Sequence, residues 1–184
     1  MAMRKEKEFS IFIHNELSVL LASPDLQISE EKNILTDVTC IYEKGKFELI
    51  HGFSQTDIAI FKAIKFDNNT VPTSLIKFYG DKDVKNGELA IPFVILELKC
   101  GELTTDGIRS RDFVASRIKE MYPFSAYYLI AESTKKEEKT LLRQGKNFTN
   151  YFISKTEFTK EEIKGIFLNY IQPHIQNINR QFKL

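Results

Sequence analysis

The chain has no tryptophan, only three histidines and only two cysteines among its 184 residues. Cys40 and Cys100 form no CxxC pair, and His14, His51 and His174 show no metal-ligand spacing. A zinc centre or a thiol-redox motif therefore has no ligand set here, and the two cysteines read as ordinary buried thiols in a reducing compartment. A Walker loop, GxGxxG and GxSxG are all missing, which removes support for nucleotide-dependent and Ser-triad mechanisms. Neither sign of charge dominates: 26 Lys and Arg face 25 Asp and Glu, for a net charge of +1. Global charge thus announces no nucleic-acid partner, and any basic surface must be local. No apolar run approaches the roughly 20 residues that span a bilayer. The first 22 residues, MAMRKEKEFSIFIHNELSVLLA, have their apolar residues interrupted by His14, Asn15 and Glu16, and no small-residue cleavage site follows. They do not read as a secretory signal, and a cytoplasmic chain with no membrane association is expected.

What is present is enough apolar material, 42% of residues, for one domain over residues 1–184 without disulfide or metal staples. Phe9, Phe12, Ile13, Leu17, Leu20 and Leu21 recur at helical spacing, predicting a helix from about Arg4 to Ala22 that ends at Ser23-Pro24-Asp25. Residues 34–43 and KFELIHGF, joined at Gly45, read as a strand pair. TDIAIFKAIKF (56–66) and the segment from about 92 to 100 are apolar on both alternating sets, as strands covered on both faces are. Residues 67–91 form a polar insertion, in which TSLIKFYG is a candidate short element. Thr105-Asp106 is placed to cap a helix from Gly107 to Met121, with Pro123 beyond its end. SAYYLIAE (125–132) reads as another buried strand, 135–146 as a charged surface segment, and FTNYFIS (148–154) as a last strand. Thr159 and Glu162 make a capping box opening a long helix, in which Pro173 should bend or disrupt the backbone. The order is α-β-β-β-α-β plus a C-terminal helix, an α/β (α+β) fold with a central mixed sheet flanked by helices.

One stretch poses a chemical question. FVILELKCGE (93–102) carries Glu97 and Lys99 at the end of an apolar strand. Acid-x-Lys tripeptides occur five times, but the other four, at Glu30, Asp83, Glu137 and Glu162, sit in polar or helical surroundings. Residues two apart on a strand share a face. Glu97 and Lys99 therefore project together, with Phe93 and Ile95 behind them and Leu96, Leu98 and Cys100 opposite. Buried charges need partners, and on these two residues alone a structural ion pair suffices. Asp57 adds a carboxylate at the start of the other doubly apolar strand, after the turn-like HGFSQT. If the two strands are neighbours, Asp57 and Glu97 converge, and paired carboxylates suit Mg²⁺ with waters and substrate phosphate completing its shell.

Asp57-Ile58-Ala59-Ile60, then an apolar strand ending Glu97-Leu98-Lys99, then a helix and a further strand resembles the PD-(D/E)XK nuclease superfamily, which includes the restriction endonucleases. The resemblance spans roughly residues 5–132, with 133–184 as a C-terminal elaboration, and Thr56 stands where the name-giving proline would be. It implies a restriction-endonuclease-like core and hydrolysis of DNA, expected to be double-stranded. In that reading Asp57, Glu97 and the Leu98 carbonyl ligate Mg²⁺, for which Mn²⁺ can substitute. Lys99 holds the attacking water or stabilises charge on the phosphate. Superfamily members often bring a glutamate from the first helix to the metal. Glu16, within the apolar stripe, is the position matched to it, while Glu6 and Glu8 lie farther from the stripe; the alternative is that Glu16 sits at the stripe's edge and reaches water.

Arg109 and Arg111 near a helix start, and Lys135, Lys136 and Arg143 farther on, are the candidate DNA-backbone contacts. Neighbouring acids dilute both groups, and an ordinary solvated surface is the competing explanation. Tyr127 and Tyr128 read as core. A stand-alone type II restriction endonuclease, cutting both strands as a homodimer through the long last helix, is the favoured expectation. A structure-selective repair or recombination nuclease comes next, and then a non-catalytic binding module on the same fold.

Overall fold

The computed structural model describes residues 4–44, 46–65, 76–79, 88–133 and 143–182, with backbone alone at 43, 46–49 and 76–79. Helix α1 (Glu6–Leu20) precedes the long strands β1 (Gln27–Glu43) and β2 (Lys46–Lys65), then β3 (Ile76–Tyr79) and β4 (Glu88–Cys100). Helix α2 (Thr105–Met121) leads to β5 (Ala126–Glu132) and β6 (Asn150–Ser154). The chain closes with α3 (Lys160–Ile166), a π-helical turn (Phe167–Ile171) and α4 (Gln172–Phe182).

The strands form one mixed sheet in the order β1-β2-β4-β5-β6, with β3 alongside β2. β1–β2 and β2–β4 are antiparallel, whereas β4–β5 and β5–β6 are parallel. Side-chain alternation sorts the central strands between two cores. Ile58, Ile60, Leu96, Leu98, Tyr128 and Ile130 pack with Phe9, Ile13 and Leu17 of α1 and Ile163, Phe167 and Ile175 of the C-terminal helices. Ala59, Phe61, Ile95, Tyr127 and Leu129 pack with Ile108, Ala115 and Ile118 of α2 on the other face. The expected α/β architecture is therefore the observed one, and all seven residues of β5 are buried.

Four local expectations are corrected. HGFSQT makes no turn, because β2 runs through it as a continuous strand. Gly52 is there for close approach, since a Cβ would stand 2.9 Å from the Cβ of its partner Asp37, beside a bulge in β1. Phe93 does not share the face of Ile95: the β2–β4 register slips between Ile60/Val94 and Phe61/Pro92, and the extra residue turns Phe93 into the α1-side core. Helix α2 is capped by Thr104, whose Oγ1 accepts from Gly107 N at 3.2 Å, not by Thr105-Asp106. Cys40 is exposed on the outer part of the β1–β2 hairpin and Cys100 is half-buried, so neither thiol is a core residue.

The capping box at Thr159 and Glu162 forms as expected. Pro173 is accommodated by the preceding π turn, in which Gln172 N–H reaches back to the Phe167 carbonyl. A proline donates no backbone hydrogen bond, and the wider turn absorbs the loss without breaking the helix. The helix lays Ile163, Ile171 and Ile178 on the sheet, where they are essentially inaccessible, while Leu168, Tyr170 and Phe182 remain exposed. Among the described residues no helix is long and apolar enough to cross a membrane.

Candidate functional site

The β2–β4 ladder runs from Lys65/Glu88 to Ile58/Leu96 and stops. The next residues in register, Asp57 and Glu97, lie on the face of Ala59 and Ile95. A side chain takes over where the backbone pairing ends: Asp57 Oδ2 accepts from Leu98 N at 2.7 Å. Within a strand, a residue's N–H and C=O point toward the same neighbour, so the Leu98 carbonyl faces the same gap. The parting strands open a groove of about 440 Å³ whose lining includes Glu6, Lys7, Glu30, Glu31, Asp57 and Leu98. Gly101, at φ +95°, then turns the chain out of β4 in a conformation that only glycine adopts freely, and its N–H bonds to the Glu132 carbonyl.

Glu97 is enclosed, with 12% of its side chain accessible. Its Oε2 accepts from the Tyr127 hydroxyl at 2.8 Å, and its Oε1 lies 2.9 Å from Arg111 Nε. The Arg111 contact is a close ion pair and not an aligned hydrogen bond, because the buried Nε–H has no acceptor along its direction. Burial, and then the nearby Asp57 charge, push the Glu97 carboxyl up to about 7, against the pull of Arg111 and Tyr127. Burial also raises Asp57, with the Leu98 N–H, Arg111 and Lys99 acting in the opposite direction. Lys99 Nζ reaches Glu6 Oε2 at 2.9 Å, and Arg111 Nη2 lies 3.9 Å from Glu6 Oε1. Asp57, Glu97, Leu98 and Lys99 thus meet at one end of the sheet.

The first-helix carboxylate that joins them is Glu6, not Glu16. Glu16 is bound to Lys160 of α3, Oε1 to Nζ at 2.8 Å. Ten residues of helix separate the two glutamates, about 15 Å at 1.5 Å per residue. The apolar stripe identifies the buried face of α1 but not which end lies over Lys99. Arg111 also departs from the solvated-surface reading, because α2 turns it inward onto Glu97. Arg109 Nε donates to Gln144 Oε1 at 2.8 Å, and Arg143 is exposed. Lys135 and Lys136 lie outside the described residues. Tyr127 is core, as expected, but its hydroxyl also holds Glu97. The signal was faint: Tyr127 alternates with Leu129 and Ala131 on the strand face beside Glu97.

Among the described residues, no three His, Cys, Asp or Glu side chains are grouped closely enough to form a ready-made metal cage. The carboxylates are turned toward Lys99, Arg111 and the Leu98 N–H. As chemistry, though, the set fits a hard dication: Asp57, Glu6 and the Leu98 carbonyl are oxygen donors along an open groove, and the enclosed Glu97 adds a carboxylate next in register to Asp57. Burial also leaves the Glu97 carboxyl, at about 7, partly protonated near neutrality, a state that a dication reverses. The chain matches no family model, and no curated protein aligns with it.

Proposed function

We propose that this protein is a Mg²⁺-dependent endonuclease that hydrolyses phosphodiester bonds of duplex DNA, acting as a stand-alone, cytoplasmic restriction-type enzyme. The observation that carries the proposal is the end of the β2–β4 ladder. There the Asp57 carboxylate replaces a backbone pair, leaving it, Glu6 and Leu98 on one groove, with the enclosed Glu97 next in register and Lys99 paired to Glu6. Asp57, Glu97 and the Leu98 carbonyl would hold the ion, with Glu6 as the first-helix carboxylate. The ion would supply Lewis acidity at the phosphate and a more acidic bound water. Lys99 places a cation at the mouth of the site, where it orients the attacking water or offsets charge on the phosphate oxygens. Tyr127 fixes the Glu97 carboxylate by its hydroxyl bond. Cutting both strands requires two such sites, so a homodimer, through the long last helix, belongs to the proposal.

A second reading has one observation in its favour. Glu97 is already paired with Arg111, and Lys99 with Glu6, so the charges are satisfied as they stand. A non-catalytic nucleic-acid-binding module would need nothing more. Incubation of plasmid and branched DNA with Mg²⁺, beside Glu97→Ala and Lys99→Ala, separates the two. Cleavage that both substitutions abolish supports the nuclease; metal-independent binding with no cutting of any substrate supports the module. Preference for branched over plasmid DNA would reassign the enzyme to structure-selective repair.

A further inference from the structure

Arg111 occupies an unusual place for an arginine near a helix start. Its Nε is buried 2.9 Å from Glu97 Oε1 yet has no aligned acceptor, Nη1 makes only a long 3.4 Å bond to the Gly107 carbonyl, and Nη2 lies 3.9 Å from Glu6. The side chain is 23% accessible and touches two of the three inner carboxylates. A guanidinium settled on a permanent partner makes parallel, aligned hydrogen bonds. This one is held by a close ion pair and one long bond to its own helix.

We infer that Arg111 is a tethered counter-ion that stands in for the metal and passes to the substrate phosphate when the metal binds; the inference rests on the nuclease reading above. Charge balance supplies the reason. In the inner cluster, Asp57, Glu97 and Glu6 face Lys99 and Arg111, three negative charges against two positive. A bound dication turns the balance from one negative to one positive, and Glu97 no longer needs the guanidinium. A phosphodiester brings one negative charge, which restores neutrality. The freed fork is suited to phosphate oxygens in a way that an ammonium is not. The groove itself is lined by Glu6, Glu30, Glu31 and Lys7, and Arg111 is the guanidinium that lies against the inner carboxylates Glu97 and Glu6.

The test is calorimetric titration of Mn²⁺ into the full-length protein at pH 8, comparing wild type, Arg111→Met and Arg111→Lys. Arg111→Met should bind Mn²⁺ several-fold more tightly than wild type, because a competing cation is gone. Arg111→Lys keeps the charge and should stay near wild type, and a cooperative thermal transition in each variant establishes that it is folded. In a second arm, duplex affinity is measured in a Lys99→Met background, which prevents cutting. There Arg111→Met should lose about tenfold in duplex affinity with Mn²⁺ present, and nothing without it. Mn²⁺ affinity that is unchanged or weaker in folded Arg111→Met overturns the counter-ion role, and equal duplex loss with and without Mn²⁺ overturns the transfer to phosphate. A wild type that binds no Mn²⁺ removes the nuclease reading and this inference together, whereas Mn²⁺ binding with unaltered Arg111→Met behaviour removes this inference alone.

Discussion

Two glutamates lie at or near the ends of neighbouring parallel strands of this sheet, and they are kept in different ways. Glu132, the last residue of β5, is inaccessible to solvent. Its Oε1 accepts from the Phe158 backbone N–H at 2.8 Å, and the Arg4 guanidinium lies 3.9 Å away. Arg4 is itself tied to Glu157, to the Phe158 carbonyl and over the Phe12 ring. Glu132 therefore ties the start of the chain and the segment before α3 to the sheet. Glu97, near the end of β4, has one aligned side-chain donor, one poorly aligned arginine and a like charge beside it. Burial raises both carboxyls. A buried carboxylate is therefore not in itself a site; what distinguishes Glu97 is the second carboxylate beside it, Asp57, which lines an open groove.

The largest effect that tests this contrast is on cleavage. Glu97→Ala should lower DNA cleavage by about 10³-fold or more while the protein remains folded. Glu132→Ala should do the reverse, costing about 2–4 kcal/mol in a denaturant titration because the Phe158 N–H and Arg4 lose a buried acceptor. Its cleavage per folded molecule should stay within about twofold of wild type. Equal loss of cutting in both would erase the distinction.

Next in size is the pH dependence of stability. The Glu97 carboxyl rises from its ordinary 4.5 to about 7 on folding, so the native protein binds a proton that the unfolded chain has already released. The ionisation of Glu97 therefore opposes folding: there is no penalty below pH 4.5, a growing one from 4.5 to 7, and the full penalty above. Glu97→Gln mimics the protonated form. It should be more stable than metal-free wild type at pH 8 by on the order of 1–3 kcal/mol, with the gap closing toward pH 4.5. Urea midpoints across that range measure it, and a constant gap would show that Glu97 does not titrate there. Metal affinity should correspondingly strengthen as pH rises through 7, since binding releases the proton.

The two glutamates of α1 extend the comparison. Glu6→Gln should weaken Mn²⁺ binding by about tenfold and free Lys99 from its ion pair. Glu16→Gln removes only a contact with the largely exposed Lys160 and should leave Mn²⁺ affinity unchanged. The opposite ranking would restore Glu16 as the carboxylate at the site.

What the sequence made legible follows from the range of each signal. Period-two alternation marked β4 and β5 as buried on both faces, and strand geometry put Glu97 and Lys99 side by side. Asp57 could be tied to them because it precedes one doubly apolar stretch as Glu97 closes another, and the two meet when the strands are antiparallel neighbours. Glu6 and Arg111 were out of reach for a different reason. Each is a surface-type residue on a helix whose direction over the sheet is set by packing hundreds of atoms, and periodicity describes a face without saying which end lies where. Gly52 misled in the same manner: a glycine demanded by contact with Asp37 across the hairpin looks identical, in one dimension, to a glycine demanded by a turn.

Tyr127 gives the finest test of how Glu97 is held. Its hydroxyl is the one aligned side-chain donor to the Glu97 carboxylate among the described residues, and it stabilises the charged form. Tyr127→Phe removes that donor and little else, since the ring stays packed against Phe148. Loss of a single hydrogen bond to a charged group is worth about 1–2 kcal/mol. It should therefore move the Glu97 titration upward by a fraction of a pH unit or slightly more, followed by carboxyl ¹³C resonances in the metal-free protein. The pH at which Mn²⁺ half-saturates the site should rise with it, and cleavage at saturating Mn²⁺, which favours the ionised Glu97, should fall only a few-fold. A titration that does not move would mean that Arg111 alone fixes the charge on Glu97, and that the core-facing tyrosine serves packing after all.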